Sequence, residues 1–404
     1  MAWSKGWRWA AAWMLATVGT GGADEPKTAA VAELPEVVVT ALRAETARAE
    51  VPGTVHVVDR ENLQTAAPRT TPDALRGLPS VMVQKTAYGQ GSPYLRGFTG
   101  FRTLMLVDGI RLNNSTFRDG PNQYWNTVDP WSVARYEAVL GPASVLYGSD
   151  AVGGAVNALP LAPPEWAGEP TCERTLAARV ATADESLQTR AGVRGRATER
   201  LGFAAGATWK EFNDVRGGAA VGRQRHTGYD ETDLDLRADY DFDSGATLTL
   251  AHQQVAQDDA WRTHSTFYGI DWKGLKAGDD QKRSYDQDRA LTYLRVANAD
   301  RAGPVAAYRL TLSRQAQDER LHRVRADGRR DESGVDATTW GAALELESPS
   351  ALGRWVYGVD VARDEVDSFG RRYQADGSLN KVEAQGPVAR SEERRVGKEC
   401  RSRW

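Results

Sequence analysis

Residues 135–157 read RYEAVLGPASVLYGSDAVGGAVN, a stretch with four glycines. Its glycines predict a chain that turns sharply more than once. Gly141 precedes a proline and Gly148 follows an aromatic residue, so each is typical of a turn. The adjacent Gly153 and Gly154 allow one backbone to approach another closely. No Gly-Lys-Ser/Thr follows these glycines, which excludes a phosphate loop, and we interpret most of the stretch as structural.

The surrounding region, residues 51–160, is predicted to be a compact α+β domain. It mixes short apolar strands, such as residues 104–107, with many turn glycines. Residues 71–78 have a helical pattern that Thr71 or Asp73 can cap and that a proline ends. A domain of ordinary size is therefore expected here.

Beyond a proline-rich linker at residues 161–170, the pattern changes to long segments of period two. In residues 233–242, apolar residues alternate with Asp and Arg. About nine such segments lie in residues 171–387, and each is close to the ~9 to 11 residues that cross an outer membrane. The mean hydropathy of −0.52 fits a barrel, in which polar residues alternate with lipid-facing ones. A soluble β-sandwich or β-solenoid also alternates and remains an alternative.

The connections between these segments alternate in length, as the turns and loops of outer-membrane barrels do. Tight turns are predicted at residues 241–245, 299–304 and 348–353, and long polar loops at residues 213–229, 258–285 and 319–335. The pattern predicts that the long loops face outward and the tight turns face the periplasm.

The N-terminus predicts export. Residues 1–23 have two basic residues, a short apolar stretch and small residues at the end, as a signal peptide does. Residues 24–50 then form a flexible lead-in. The chain has 51 basic and 54 acidic residues, a balance that argues against nucleic-acid binding. Cys172 and Cys400 lie far apart, and we interpret both as incidental.

Several motifs resemble the plug domain of TonB-dependent outer-membrane receptors. They are DALRGLPSV at 73–81, YLRGF at 94–98, LMLVDGIRLN at 104–113 and the stretch at 135–157. The resemblance covers residues 34–157 by motif and continues to about residue 369 by pattern only. It implies an α+β plug domain followed by an antiparallel transmembrane β-barrel in the outer membrane of a Gram-negative type of cell. The implied function is import of a scarce nutrient, driven by the TonB protein of the inner-membrane complex.

Residues 34–41 form a β-branched run beside the flexible lead-in. The resemblance implies that this run contains the TonB box, which pairs with TonB by β-augmentation. An ordinary edge strand of the plug has the same composition and remains an alternative. The residues of the implied box are Glu36, Val37, Val38, Val39, Thr40 and Ala41.

Two plug loops, residues 84–94 and 113–125, mix aromatic and polar residues, which suits a flat or polyoxygenated ligand. The second loop resembles receptors for haem and haem proteins, so the expected ligand is haem or a ferric siderophore. Receptors for cobalamin or carbohydrate have the same architecture and remain alternatives. The candidate ligand-binding residues are Tyr88, Tyr94, Arg96, Asn113, Asn114, Phe117, Arg118, Asn122, Gln123 and Tyr124.

A haem ligand needs a His or Tyr at an open face. His264 and Tyr268 in one long loop, and His226 in the preceding loop, are the candidates. Haem or a ferric chelate is expected as transported ligand, either free or carried by a haem protein, and no permanently bound cofactor is expected. The sequence has no Gly-x-Ser-x-Gly and no His-Glu-x-x-His motif. We therefore expect no catalytic residues, with an outer-membrane barrel enzyme as the alternative from another class.

The end of the chain departs from the resemblance. Barrels of plugged outer-membrane transporters have about 22 strands, and the sequence predicts well under half of them. Residues 388–404 are basic and patternless, and Arg or Lys on a lipid face costs roughly 2 to 4 kcal/mol each near the midplane. The sequence therefore predicts a truncated barrel followed by a tail that is not native.

Overall fold

The computed structural model describes residues 37–40, 43–51, 53–219, 221–271, 273–299 and 301–383. The predicted signal peptide at residues 1–23 and the predicted tail at residues 388–404 lie outside the described residues. So do Glu36 and Ala41 of the implied TonB box.

The N-terminal part of the described chain forms the plug. Its main sheet has five strands within the described residues, in the order β3-β8-β9-β6-β7, and its central pair β6 and β9 is parallel. The strands are β1 (Val37–Val38), β2 (Thr46–Ala47), β3 (Thr54–Val58), β4 (Val81–Ala87), β5 (Gln90–Leu95), β6 (Leu104–Val107), β7 (Ile110–Arg111), β8 (Val133–Leu140) and β9 (Gly154–Pro160). The α-helices are α1 (Arg60–Ala66), α2 (Thr71–Ala74) and α3 (Ser144–Tyr147), and the 3-10 turns are Arg48–Glu50, Gly100–Arg102, Tyr124–Asn126, Pro130–Ser132 and Thr263–Ser265.

The stretch at 135–157 behaves as its glycines predict. It runs through β8, turns at Gly141, passes through α3 and returns as β9. A Cβ on Gly153 would lie 2.6 Å from the Cβ of Phe98, so only glycine allows this close approach. The prediction of turns and of backbone contact at this stretch is confirmed.

The helix predicted at residues 71–78 is shorter than expected. It covers Thr71–Ala74 and continues to Leu78 only as turns. The predicted caps were wrong, because Thr70 is the N-cap and its hydroxyl accepts from the backbone N–H of Asp73 at 3.4 Å. Pro72 explains the shift, since proline is favoured in the first turn of a helix.

The second part of the chain is one antiparallel meander in which each strand pairs with the next. It has ten strands within the described residues, close to the nine or so that the sequence predicts. They are β10 (Thr171–Ala181), β11 (Ser186–Arg196), β12 (Leu201–Phe212), β13 (Tyr229–Asp241), β14 (Thr247–Trp261), β15 (Lys282–Asn298), β16 (Ala307–Val324), β17 (Arg330–Ser350), β18 (Gly353–Tyr373) and β19 (Leu379–Glu383).

Alternation along these strands separates two faces. In β13, Leu234 and Leu236 are exposed, whereas Asp233 and Asp239 are buried against the plug side. The outer face is therefore apolar and the inner face is polar, as the sequence predicts for a barrel wall. None of the helices in the described part of the chain is long and apolar enough to cross a membrane.

One predicted loop was wrong. The predicted loop at residues 319–335 is mostly strand, because β16 and β17 continue to Val324 and from Arg330 around a short turn. Here both faces of the hairpin are polar, so the alternation disappears while backbone pairing continues. The long connections that remain are residues 213–228 and 262–281, and we call this side of the sheet the long-loop end. The opposite side, with the tight turns after Asp241, Asn298 and Ser350, is the short-turn end.

Candidate functional site

A buried cluster of charges fastens the plug to the inner face of the sheet. The Lys210 Nζ of β12 lies 2.8 Å from the Asp129 Oδ1 of the plug and 2.8 Å from the Asp233 Oδ2, and it also pairs with Glu231. Burial alone would raise the pKa of Asp129, but the positive charges of Lys210 and Arg190 outweigh it and hold that pKa below its usual range. The three carboxylates are close enough together to hold a metal ion. The ammonium of Lys210 takes that central position instead.

Lys210→Met should strongly destabilise the folded chain. It leaves three buried carboxylates facing one another, and losing one partner of a buried ion pair costs roughly 3 to 5 kcal/mol. Thermal unfolding in detergent measures the effect, with Lys276→Met as control because the side chain of Lys276 is 83% exposed. Equal unfolding temperatures for the two variants would contradict the role given to Lys210.

A second buried contact joins the plug to the sheet near the short-turn end. The Asp108 carboxylate at the β6–β7 turn accepts hydrogen bonds from Arg295 Nη1 at 2.8 Å and from the Tyr293 hydroxyl at 2.5 Å. Burial alone would raise the pKa of Asp108, but Arg295 and Arg237 hold it well below its usual range. Two separate contacts thus join the plug to the sheet, one from Asp129 to β12 and the other from Asp108 to β15.

The loop at 113–125 packs against β16. Phe117 and Tyr124 stack with ring centroids 4.6 Å apart. The Arg118 guanidinium donates to both carboxylate oxygens of Glu319, at 3.1 and 3.2 Å, and the Gln123 side-chain amide donates to the same carboxylate. Burial and the charge of Glu319 raise the pKa of Tyr124 to about 12. Three candidate residues, Arg118, Gln123 and Tyr124, therefore meet at the Glu319 carboxylate. Sequence reasoning did not single out Glu319.

The asparagines of this loop have mainly structural contacts. The Asn113 Oδ1 accepts from the backbone N–H of Met105 at 3.0 Å, while its Nδ2 donates to the Thr103 carbonyl at 2.9 Å. The Asn114 Nδ2 donates to Gln317 of β16 at 2.5 Å. The Asn122 Oδ1 accepts from the backbone of the same loop.

The β4–β5 hairpin points toward the long-loop end. The Tyr88 hydroxyl donates to the carboxylate of Asp184, which lies in the connection between β10 and β11. The Tyr94 hydroxyl donates to the Gln84 side chain at 2.7 Å. Arg96 is separate from this group, because its Nη2 donates to Thr54 at the start of β3. The structure thus brings Tyr88 to the long-loop end and leaves Arg96 away from it.

Aromatic residues cluster in the long loops. The His226 ring stacks on Trp261 at 4.2 Å with planes 17° apart, and Tyr268 contacts His226 at 4.3 Å. His226 has φ +57, a strained backbone that is common at functional sites. The sequence pairs His264 with Tyr268, but in the structure Tyr268 contacts His226 and His264 contacts the plug backbone at Thr86. Partial burial lowers the pKa of His264, as do the charges of Arg262 and Arg283.

Residues 37–40, which we call the box segment, are docked on the plug. β1 pairs with β2, and Val38 is fully buried beside Val55. The backbone N–H groups of Val39 and Thr40 donate to the Glu137 Oε2 at 3.0 and 2.8 Å. The Tyr147 hydroxyl donates to the Thr40 carbonyl at 2.8 Å. The segment is therefore held by specific contacts to residues 135–157.

The chain after the box segment contacts the sheet at the short-turn end. The Arg43 guanidinium lies 3.2 Å from Glu345 of β17 and 2.6 Å from Asp360 of β18. The Arg354 Nη2 donates to the Thr46 hydroxyl at 2.7 Å. The box segment and the aromatic cluster of the long loops thus lie at opposite ends of the sheet.

A family search matches residues 47–155 to the TonB-dependent Receptor Plug Domain. A vitamin B12 transporter of Vibrio vulnificus is 32% identical over 126 residues, which are 30% of this chain and 20% of that transporter. The plug of this chain thus matches the plug domain of TonB-dependent receptors, as its motifs predict.

Solved structures share the fold of this chain. The siderophore receptor PiuA from Acinetobacter baumannii superposes with a TM-score of 0.62 at 16% identity, covering 85% of this chain and 50% of PiuA. The Serratia marcescens hemophore receptor HasR, solved with its hemophore HasA and haem, gives a TM-score of 0.64 at 14% identity and covers 80% and 48%. The chain spans about half the length of these structures. The likeness confirms a plug followed by strands of a barrel wall.

Proposed function

We propose that this receptor lies in the outer membrane and imports a scarce nutrient, haem or a ferric siderophore, with energy supplied by TonB. The observation that carries the proposal is the docked box segment at the short-turn end, opposite the aromatic and polar loops at the long-loop end. A ligand arriving outside and an energy source in the periplasm need contact sites at opposite ends of one wall.

The membrane position is supported by the outer face of the sheet. Large apolar side chains on this face are exposed, among them Leu250, Leu294, Leu312 and Val359 at 41 to 58%. A contiguous apolar surface of this kind is rare on soluble proteins but necessary against lipid. We place the long loops outside the cell and the short turns in the periplasm. The division into a signal peptide at 1–23, a plug at 51–160 and a barrel wall from 171 belongs to the same proposal.

The coupling to TonB is proposed from the box segment. It is a short β-branched strand held by few contacts, so its backbone can be exchanged to a partner strand. A pull on the segment acts first on the Glu137 and Tyr147 contacts and then on the plug. A force that TonB applies to the box segment would therefore act directly on residues 135–157.

Haem is favoured by the cluster of His226, Trp261 and Tyr268 and by the nearby His264, because an imidazole or phenolate can bind iron and flat rings can stack on a porphyrin. The low pKa of His264 keeps its ring neutral at neutral pH, the form that binds a metal. Its relatives include transporters of vitamin B12, so cobalamin remains a second candidate.

His264→Ala should abolish the shift of the haem absorbance band that occurs when haem is added to the purified receptor. His252→Ala is the matched control, because His252 lies in β14 and its Nδ1 bonds to Thr292 of the wall. If the spectrum of His264→Ala equals that of the wild type, His264 is not the iron ligand. Titration of the wild type with haem, a ferric siderophore and cyanocobalamin in parallel then identifies the ligand class.

A further inference from the structure

The outward face of the sheet carries an apolar row that crosses five strands. Each member of the row lies directly opposite the next one on the neighbouring strand, from β14 to β18. The members are Leu250, Leu294, Leu312, Ala342 and Val361. All five are exposed on the outward face, so this row faces lipid in the outer-membrane position proposed above.

The next row toward the long-loop end is polar and carries two arginines. It crosses the same five strands in the same register, and we call it the interface row. Its members are His252, Thr292, Arg314, Trp340 and Arg363. Each lies two residues along its strand from a member of the apolar row. Because side chains of a strand alternate between the two faces, the interface row is also on the outward face.

The strand geometry places the interface row near the upper edge of the apolar band. Trp340 lies eight residues along β17 from Ser348, whose cross-strand partner is Trp355 near the short-turn end. Eight residues at ~3.3 Å each, on a strand tilted by ~40°, give a height of roughly 20 Å. The apolar band of an outer-membrane barrel is about 25 Å tall, with aromatic residues at both interfaces. Trp355 and Trp340 thus fit the two interfaces.

The two arginines of the interface row lie on either side of Trp340, on the neighbouring strands. The Arg314 guanidinium lies 5.6 Å from the centroid of the Trp340 ring, and Arg314 forms no salt bridge with any residue that the structure describes. Arg363 pairs with Glu365 at 3.4 Å, but these side chains are 78% and 54% exposed. Exposed pairs of this kind are weak, so both guanidiniums are available to another anion.

A phosphate group fits this pair of arginines. A guanidinium binds phosphate through two parallel N–H groups. The backbones of Arg314 and Arg363 are two strands apart, roughly 10 Å, so their long side chains can reach one phosphate beside the Trp340 ring. An arginine on the lipid face is costly at the midplane and tolerated near the interface, where the phosphates of lipid headgroups lie.

We propose that the interface row binds the phosphate of an outer-leaflet lipid, whose acyl chains lie against the apolar row. This rests on the outer-membrane position proposed above and goes beyond import. A free phosphate ion would leave the apolar row uncovered, so a lipid is the occupant. Two rows farther toward the long-loop end, the opposed carboxylates of Asp318 and Asp336 repel a phosphate. The arginines therefore fix the height at which the phosphate lies.

Arg314→Gln tests the lipid site, with Arg174→Gln as the matched control. Arg174 is an exposed arginine on the outward face of β10, two residues from Leu176, which is 87% exposed. It lies near the short-turn end, far from the interface row. The probes are fluorescent lipid A, which carries two phosphates, and the same lipid without its phosphates. Anisotropy measures their binding to the full chain purified in a non-ionic detergent.

The wild type should bind lipid A more tightly than the dephosphorylated lipid. Arg314→Gln should weaken the binding of lipid A about tenfold, because a charged hydrogen bond is lost, while Arg174→Gln should bind as the wild type does. Arg363→Gln gives an independent measurement at the same row and should also weaken binding. Wild-type affinity in both interface-row variants would overturn the proposal.

Two further outcomes would also overturn the lipid site. Equal weakening by Arg174→Gln would show general attraction between charges, and displacement of lipid A by excess inorganic phosphate would show a site for the free ion. Fractionation of cells that express the wild-type chain tests the membrane position separately. Absence from the outer-membrane fraction would refute that position, whereas a chain that is present there but binds both lipids equally would refute the lipid site alone.

Discussion

A proline at position 38 is expected to abolish TonB-dependent uptake while ligand binding at the cell surface stays intact. Proline has no backbone N–H and cannot donate to a β ladder. In the proposed function this N–H belongs to the strand that pairs with TonB. Val38 lies far from the outer loops, so the ligand site should be unaffected. Uptake and surface binding of radiolabelled haem and ferric siderophore, measured in the same cells, check both parts.

Val38→Ala separates the lost donor from the lost packing. Val38 is fully buried beside Val55, so both substitutions remove that contact, but only proline removes the N–H. Val38→Ala should therefore keep a large part of the uptake rate. Equal loss in the two variants would indicate that the box segment acts by packing on the plug, and normal uptake by Val38→Pro would refute the TonB box.

The two faces of the wall were predictable from the sequence, because period-two alternation is a local property of each strand. The buried Asp233 beside the exposed Leu234 is an example. The turns of residues 135–157 were also predictable, because adjacent glycines such as Gly153 and Gly154 indicate a sharp turn or a close backbone contact. What failed was the loop at residues 319–335. Its backbone pairing depends on the partner strand and leaves no hydrophobic signal when both faces are polar.

The contacts that join plug and wall were beyond the sequence. Lys210 appears only as one charged residue in an alternating strand, yet it lies among carboxylates from two parts of the chain. Glu319 likewise carries no local signal, although Arg118 and Gln123 both bond to it. Such pairs join residues that lie far apart in the sequence, as Arg118 and Glu319 do at a separation of 201 positions. Single-sequence patterns report the face of a residue but not its partner.

The Glu137 carboxylate is the contact whose loss should free the box segment. It is fully buried and accepts the N–H groups of Val39 and Thr40, and it also pairs with Arg135. Hydrogen bonds to a charged group contribute roughly 1.5 to 3 kcal/mol each. Glu137→Ala removes the acceptor of both N–H groups and leaves the β1–β2 pairing, the packing of Val38, and the Tyr147 and Asn157 contacts to Thr40.

With the box segment released, TonB should bind the ligand-free receptor more tightly. A docked segment must first detach, so its docking energy is subtracted from the apparent affinity. Loss of even 1.4 kcal/mol of docking corresponds to about a tenfold gain in affinity. Calorimetry with the periplasmic domain of TonB measures this gain, and Glu137→Gln, which keeps one acceptor and the side-chain volume, should give an intermediate value. An unchanged affinity in Glu137→Ala would mean that the docked segment does not restrain TonB, because a contact that TonB must break cannot be removed without effect.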